Sequence, residues 1–159
     1  MTFFIADNIL DNPKQYIEDI YNNDFQSFVD GENVFKNIQP RGDDEFVKKI
    51  LSMFDGYGIN FNFVRKSPLN QLEPNYMHTD EMMGDITCLL YLNEEHPDND
   101  GTTIYDDNKK PLFTIYSKLN RMFAFTSSAL HSRNILENFG EDKNARLVQV
   151  IFLKKLDDK

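Results

Sequence analysis

Apolar positions change period once along this chain, near residue 59. Before that point, after a short apolar run at Phe3–Ile5, they recur every three to four residues. Tyr16, Ile17, Ile20 and Tyr21 follow Asp11-Asn12-Pro13, which supplies capping side chains and a proline suited to a first helical turn. Phe46, Val47, Ile50, Leu51 and Phe54 follow Asp43-Asp44, and Gly56 and Gly58 stop the pattern. The spacing predicts two amphipathic helices whose apolar stripes must cover something flat.

From Ile59 onward the period is two. Strands are predicted at 59–66, 75–80, 85–93, 101–106, 111–117, 121–127, 130–137 and 145–154. Turn formers separate them, among them Pro68-Leu-Asn70, Asp98-Asn-Asp-Gly101, Asp106-Asp-Asn108 and Gly140-Glu-Asp-Lys-Asn144. About eight short strands after two helices predict a mainly β fold with N-terminal helices. The expected architecture is a double-stranded β-helix, or jelly roll, with two helices packed on one sheet. One domain is expected over 1–159, with 1–58 as helical support and 59–156 as the jelly-roll core.

The segment 85–93 says most about what such a roll encloses. Alternation puts Ile86, Cys88, Leu90 and Leu92 on one face, entirely apolar and suited to lie under helices. The other face carries Asp85, Thr87, Leu89, Tyr91 and Asn93. In 59–66, Phe61 and Phe63 alternate with Asn60 and Asn62. Polar groups facing an interior need partners, and a ligand cavity supplies them.

Composition narrows the function classes. The 159 residues carry 26 acidic and 17 basic side chains, a net charge of −9, which disfavours nucleic acid or an anionic membrane surface as partner. Hydrophobic residues make up 40%, enough for a packed core. The longest near-apolar run, around Ile86–Leu92, is far too short to span a bilayer. The start, MTFFIADNILDN, lacks the basic region of a secretion signal. The single cysteine, Cys88, excludes an internal disulfide, so a cytoplasmic location is expected.

Three histidines are present: His78, His96 and His131. In His78-Thr79-Asp80 the imidazole and carboxylate, two apart on a strand, converge on one side. His131 follows the apolar run RMFAFTSSAL. Two imidazoles and one carboxylate on one face of an octahedron leave positions open for a cosubstrate and O2, the arrangement of non-haem Fe(II) oxygenases. An HxD alone is a weak signal; its force here comes from the strand context and the polar inner faces. Arg146 opens the otherwise apolar run ARLVQVIFL, where a guanidinium requires a partner such as a ligand carboxylate. Arg133, two residues after His131, is the rival for that role. His96 reads as a solvated turn residue, and Glu81-Met82-Met83-Gly84 as either a substrate mouth or a plain connector.

The ordered set resembles the Fe(II)/2-oxoglutarate-dependent dioxygenases, in particular their prolyl-4-hydroxylase-like branch. It comprises His78-Thr-Asp80, Ile86-Thr-Cys-Leu-Leu-Tyr-Leu-Asn93, Asp100-Gly101-Thr102, Leu119-Asn-Arg-Met-Phe-Ala-Phe125, His131 and Arg146. The resemblance implies Fe(II) bound by His78, Asp80 and His131. It implies 2-oxoglutarate held at its distal carboxylate by Arg146, helped by Tyr91 and Thr87, with Asn62 a candidate for the near carboxylate or the substrate. Hydroxylation of a C–H bond with O2, releasing succinate and CO2 and stimulated by ascorbate, is the implied activity. The substrate is left open between a peptidyl proline and a small molecule. Where the family carries a Gly-Gly pair this chain has Asp100-Gly101. The alternatives are a jelly-roll metalloprotein that does not use 2-oxoglutarate and a non-catalytic binding module on the same fold.

Overall fold

The computed structural model describes residues 2–72, 76–134 and 137–157. The elements in chain order are β1 (Phe3–Ala6), α1 (Pro13–Tyr21), β2 (Gln26–Asp30), β3 (Asn33–Pro40), α2 (Glu45–Met53), β4 (Tyr57–Ser67), β5 (Ile86–Tyr91), β6 (Gly101–Tyr105), β7 (Pro111–Tyr116), β8 (Arg121–Thr126), β9 (Leu130–Arg133) and β10 (Arg146–Lys155). A seven-stranded sheet runs β1-β8-β5-β10-β4-β3-β2 and a three-stranded sheet runs β7-β6-β9. Every pairing between these strands is antiparallel. This is the expected jelly roll, mainly β, with two helices on one sheet.

Both helices start as their sequence dictates. Asn12 accepts a hydrogen bond from the Gln15 amide with Pro13 in the first turn, and Asp44 accepts one from the Val47 amide at 3.0 Å. Their inner stripes are narrower than the sequence suggests: Tyr16 and Ile20 in α1 are buried, as are Phe46, Val47 and Ile50 in α2, while Leu51 is exposed. These side chains pack on Val64, Cys88, Leu90, Leu92, Met122, Ala124, Leu147 and Ile151. The even-numbered face of 85–93 therefore lies under the helices, as the alternation requires.

The other face of the large sheet turns toward the small one. Tyr91, Phe123, Phe125 and Val148 pack there against Ile104 and Ala129, flanked by Phe113 and Ile115. This second core is the interior of the roll.

Three features depart from the sequence reading. A hairpin, β2–β3, extends the large sheet where no strand is predicted; Gly31 makes its turn at φ 61°. The predicted strand 75–80 shrinks to one bridge, His78 to His131; Asn75 lies outside the described residues. The predicted strand 130–137 ends at Arg133, and residues 135–136 likewise lie outside.

A buried polar knot ties the helical layer to the sheet. The Tyr16 hydroxyl donates to Gln149 Oε1, and Gln149 Nε2 donates to Asn62 Oδ1 at 2.7 Å and to Asp44 Oδ2 at 3.0 Å. Arg41 Nε lies 3.1 Å from the same Asp44 oxygen, and the guanidinium stacks over the Tyr16 ring. Burial, followed by the Asp44 charge, pushes the Tyr16 phenol far above its ordinary pKa, so it is a neutral donor at every physiological pH. Gln149 is wholly buried. Replacing it with Leu removes the acceptor of the Tyr16 hydroxyl and the donor to Asn62 Oδ1, and leaves Asp44 Oδ2 with Arg41 alone. Gln149→Leu is expected to lower stability by about 1–3 kcal/mol. Urea unfolding should show a reduced midpoint with an unchanged slope, and metal binding should not change.

Candidate metal centre

Two segments bring His78, Asp80 and His131 together. The backbones of His78 and His131 exchange two N–H···O bonds, both 2.9 Å, and the Asp80 amide donates to Ser127 O at 2.8 Å. The segment carrying His78 and Asp80 is thus laced to the β8–β9 turn that presents His131. His131 Nε2 lies 3.1 Å from Asp80 Oδ2, and His78 Nε2 lies 3.3 Å from Asp80 Oδ1. One ligand atom from each residue falls within 4.8 Å of the others.

The protonation of the rings follows from their outer bonds. His78 Nδ1 is 2.7 Å from Tyr76 O and His131 Nδ1 is 2.9 Å from Ala129 O. A carbonyl only accepts, so each Nδ1 carries the hydrogen and each neutral ring turns its Nε2 lone pair toward Asp80. Two lone pairs facing a carboxylate at this range require a cation between them, either a proton or a metal ion. Asp80 is 12% exposed and His131 8% at the side chain, while His78 at 37% forms the open side. The Tyr76 ring leans on His78 with centroids 5.1 Å apart, and Phe125 meets His131 edge-on at 4.7 Å.

The carboxylate itself is held from behind. The Thr87 hydroxyl donates to Asp80 Oδ2 at 3.2 Å and lies 3.0 Å from Ser127 Oγ, which must then be the donor to Thr87. Thr87, expected to help bind a cosubstrate carboxylate, donates here to the carboxylate of the metal set. Removing such an orienting bond typically weakens metal binding 10–100-fold.

The remaining predicted residues separate into two groups. Tyr91 and Arg146 are both buried on the inner side of the sheet. The Tyr91 hydroxyl sits 2.6 Å from Thr102 Oγ1, and burial, the largest cause, pushes its phenol up to about 12. Arg146 Nε donates to Asp100 Oδ1 at 3.0 Å. Asn93 fixes the start of β10, donating to Ala145 O and accepting from the Leu147 amide. Arg133 pairs in register with Thr102, on the same side of β9 as His131. Asn62 is elsewhere. It shares a face with Val64, donates to Gly42 O and accepts from Gln149, so it belongs to the helical layer and not to the face that lines the roll. The face of β4 that lines the roll is the aromatic one, where Phe61 and Phe63 both meet Phe152. Asn60 bonds to Met83 O, opposite a bulge between Phe152 and Leu153. His96 lies beside Pro97, apart from the centre, with its Nδ1 on the Pro97 carbonyl.

Sequence reasoning missed Arg65. It pairs with Val148 in register, stacks over the Phe35 ring of the hairpin, and lies close enough for its charge to oppose protonation of His78. The signal was present: an arginine two residues beyond Phe63 shares its inward face.

No protein-family model matches the sequence, and no curated protein matches it. Solved structures do match in fold. The 2-ketoglutarate-dependent non-haem epimerase SnoN of nogalamycin biosynthesis superposes at TM-score 0.67, with 10% identity, over 96% of this chain and 77% of that one. A prolyl hydroxylase from Trichoplax adhaerens, solved with a hypoxia-inducible-factor peptide, gives 0.66 at 20% identity over 96% and 83%. HygX from Streptomyces hygroscopicus, solved with nickel and 2-oxoglutarate, gives 0.65 at 9% identity over 96% and 81%. At such identities the likeness establishes the fold.

The hydrogen bond that His78 donates to Asp80, the largest cause, raises the His78 pKa above its ordinary value. Burial alone would raise Asp80, but hydrogen bonds from His131 and His78 outweigh it and hold the carboxylate well below its usual range. The raised His78 contributes stability that is complete below its unfolded value and lost as pH rises through the folded one. The lowered Asp80 contributes above its unfolded value and loses it on acidification. In metal-free protein this site therefore stabilises most between about pH 4 and 6.5. Metal binding has the opposite slope, because the proton on His78 competes for Nε2. Melting curves with and without Mn(II) or Ni(II) should show the metal-induced rise in Tm growing from pH 6 to pH 8. In His131→Ala that rise should vanish at every pH.

Proposed function

We propose that this protein is an Fe(II)- and 2-oxoglutarate-dependent oxygenase that hydroxylates a substrate C–H bond. The observation that carries the reading is the His78–Asp80–His131 cluster, with both Nδ1 atoms tied to carbonyls and both Nε2 atoms turned to one carboxylate, on the fold that such oxygenases share. Two nitrogens and one oxygen on one side of a metal suit Fe(II) with open positions opposite. When bound there, iron with 2-oxoglutarate and O2 supplies oxidative decarboxylation to succinate and CO2 coupled to substrate hydroxylation.

The chain's own contributions are positional. His78, Asp80 and His131 hold the metal. Thr87 and Ser127 keep Asp80 from rotating. Phe125, Phe123, Ile104 and Val148 exclude water from the side of the centre within the roll, which protects a reactive oxidant from solvent. Arg146 and Arg133 are the inward-facing cations on strands β10 and β9 that would meet a cosubstrate carboxylate, with Tyr91 on β5 beside the strand that carries Arg146. The exposed side at His78, flanked by Tyr76, faces the substrate. The prolyl-hydroxylase-like ordering of motifs supports a peptide substrate, and the reading admits a small molecule as well. It includes neither nucleic acid nor membrane: the net charge is −9, and among the described residues no helix is long and apolar enough to cross a bilayer. The lone thiol, Cys88, is buried and supports a reducing, cytoplasmic setting.

Anaerobic addition of 2-oxoglutarate to the Fe(II)-loaded protein should produce a visible charge-transfer band, and admission of air with ascorbate should release succinate slowly without added substrate. His78→Ala should lose both. Asn62→Ala should keep both while lowering the urea midpoint. Iron uptake with no response to any 2-oxo acid would assign a different metal chemistry to this fold.

A further inference from the structure

One buried charge inside the roll has no place in the mechanism above. Asp100, 1% exposed at the side chain, precedes β6 and reaches Arg146, 7% exposed, through a single Nε–Oδ1 contact of 3.0 Å. Asp100 Oδ2 is buried with no hydrogen-bond partner. An arginine–carboxylate pair that used the whole fork would engage both oxygens; this one uses one.

Neither partner is free to leave. The Asp100 amide donates to Pro97 O at 3.0 Å, and its carbonyl accepts from the Ser117 amide at 2.7 Å. The next residue, Gly101, runs so close to β7 that a Cβ there would lie 2.2 Å from Ile115 O. On the other side the Arg146 amide donates to Phe139 O, and Asn93 clamps the residues before and after it. The pair is fixed by backbone on both flanks. It also lies at the Tyr91 end of the interior: the charges of Arg146 and Asp100 both act on the Tyr91 phenol.

A fixed anion on the guanidinium changes what Arg146 offers a ligand. A dicarboxylate whose far end approaches Arg146 meets a carboxylate already in place, and in a site this dry the repulsion is weakly screened. A 2-oxo monocarboxylate, which chelates a metal through the same two oxygens, meets no such opposition. From this geometry we infer that Asp100 sets cosubstrate specificity: by holding Arg146 in an internal ion pair it weakens the hold on a distal carboxylate and admits 2-oxo monocarboxylates alongside 2-oxoglutarate. The inference rests on the oxygenase reading and concerns which 2-oxo acid that site takes.

The test is a binding measurement, without turnover. Ni(II)-loaded protein is titrated calorimetrically with 2-oxoglutarate and with 2-oxobutyrate. In the wild type the two dissociation constants should lie within tenfold of one another. In Asp100→Asn, which keeps the shape and removes the charge, 2-oxoglutarate should tighten at least tenfold while 2-oxobutyrate stays within twofold. Arg146→Gln should reduce 2-oxoglutarate binding more in the Asp100→Asn background than in the wild type. If Asp100→Asn does not fold, the wild-type ratio still decides. A wild type that prefers 2-oxoglutarate a hundredfold, or an Asp100→Asn protein with an unchanged ratio, overturns the role of Asp100. If wild type and variant take up Ni(II) but bind neither acid, the oxygenase reading itself falls.

Discussion

A carboxylate flanked by two imidazole lone pairs is the constraint around which this molecule is arranged. Left to itself, Asp80 beside two neutral Nε2 atoms at 3.1 and 3.3 Å is repulsive, and a proton or a metal ion must resolve it. The fold does not let the side chains relax apart instead. Backbone bonds join His78 to His131 and Asp80 to Ser127, carbonyls hold both rings at Nδ1, and Thr87 holds the carboxylate. Pre-organisation of this kind is what a metal site needs from its surroundings.

The large sheet separates two kinds of polar work. On its helical side Tyr16, Gln149, Asn62 and Asp44 satisfy one another completely and serve cohesion. On its inner side Thr87, Tyr91 and Arg146 stand over the roll's interior, and their partners are Asp80, Thr102 and Asp100. Polarity on a strand thus says that a partner exists, and only the register says whether that partner is structural or chemical.

That distinction decides what was legible in the sequence. The two helices were readable because capping residues and 3.6-period stripes coincide, and most strands because alternation is clear between turn formers. The metal set was readable because an i,i+2 pair and a distant histidine fell in a familiar order. The hairpin at 26–40 escaped because every residue of β2 is exposed, so no apolar period marks it; only Asp30-Gly31 signalled the turn. Asn62 is ambiguous in the sequence because its alternation with Phe61 and Phe63 shows two faces but not which one looks inward. The N-terminus of α2, bringing Asp44 and Gly42 to that face, settled it. Arg146 and Asp100 are 46 residues apart, and no local pattern announces a pair at that separation.

Charge within the roll completes the picture. A divalent ion at the three ligands would leave that end net positive after Asp80, and Arg65 and Arg133 project from strands on the same inner side. At the Tyr91 end, however, Asp100 sets a fixed negative charge against Arg146, where a side chain without charge would leave the guanidinium to the ligand. On the proposed reading, a 2-oxo carboxylate chelating the metal would meet net positive charge there, while a second carboxylate at the far end would meet Asp100. The metal end and the Tyr91 end of the roll thus differ in charge, and the difference traces to a residue at the position before Gly101, where the backbone is too tightly packed to move it away.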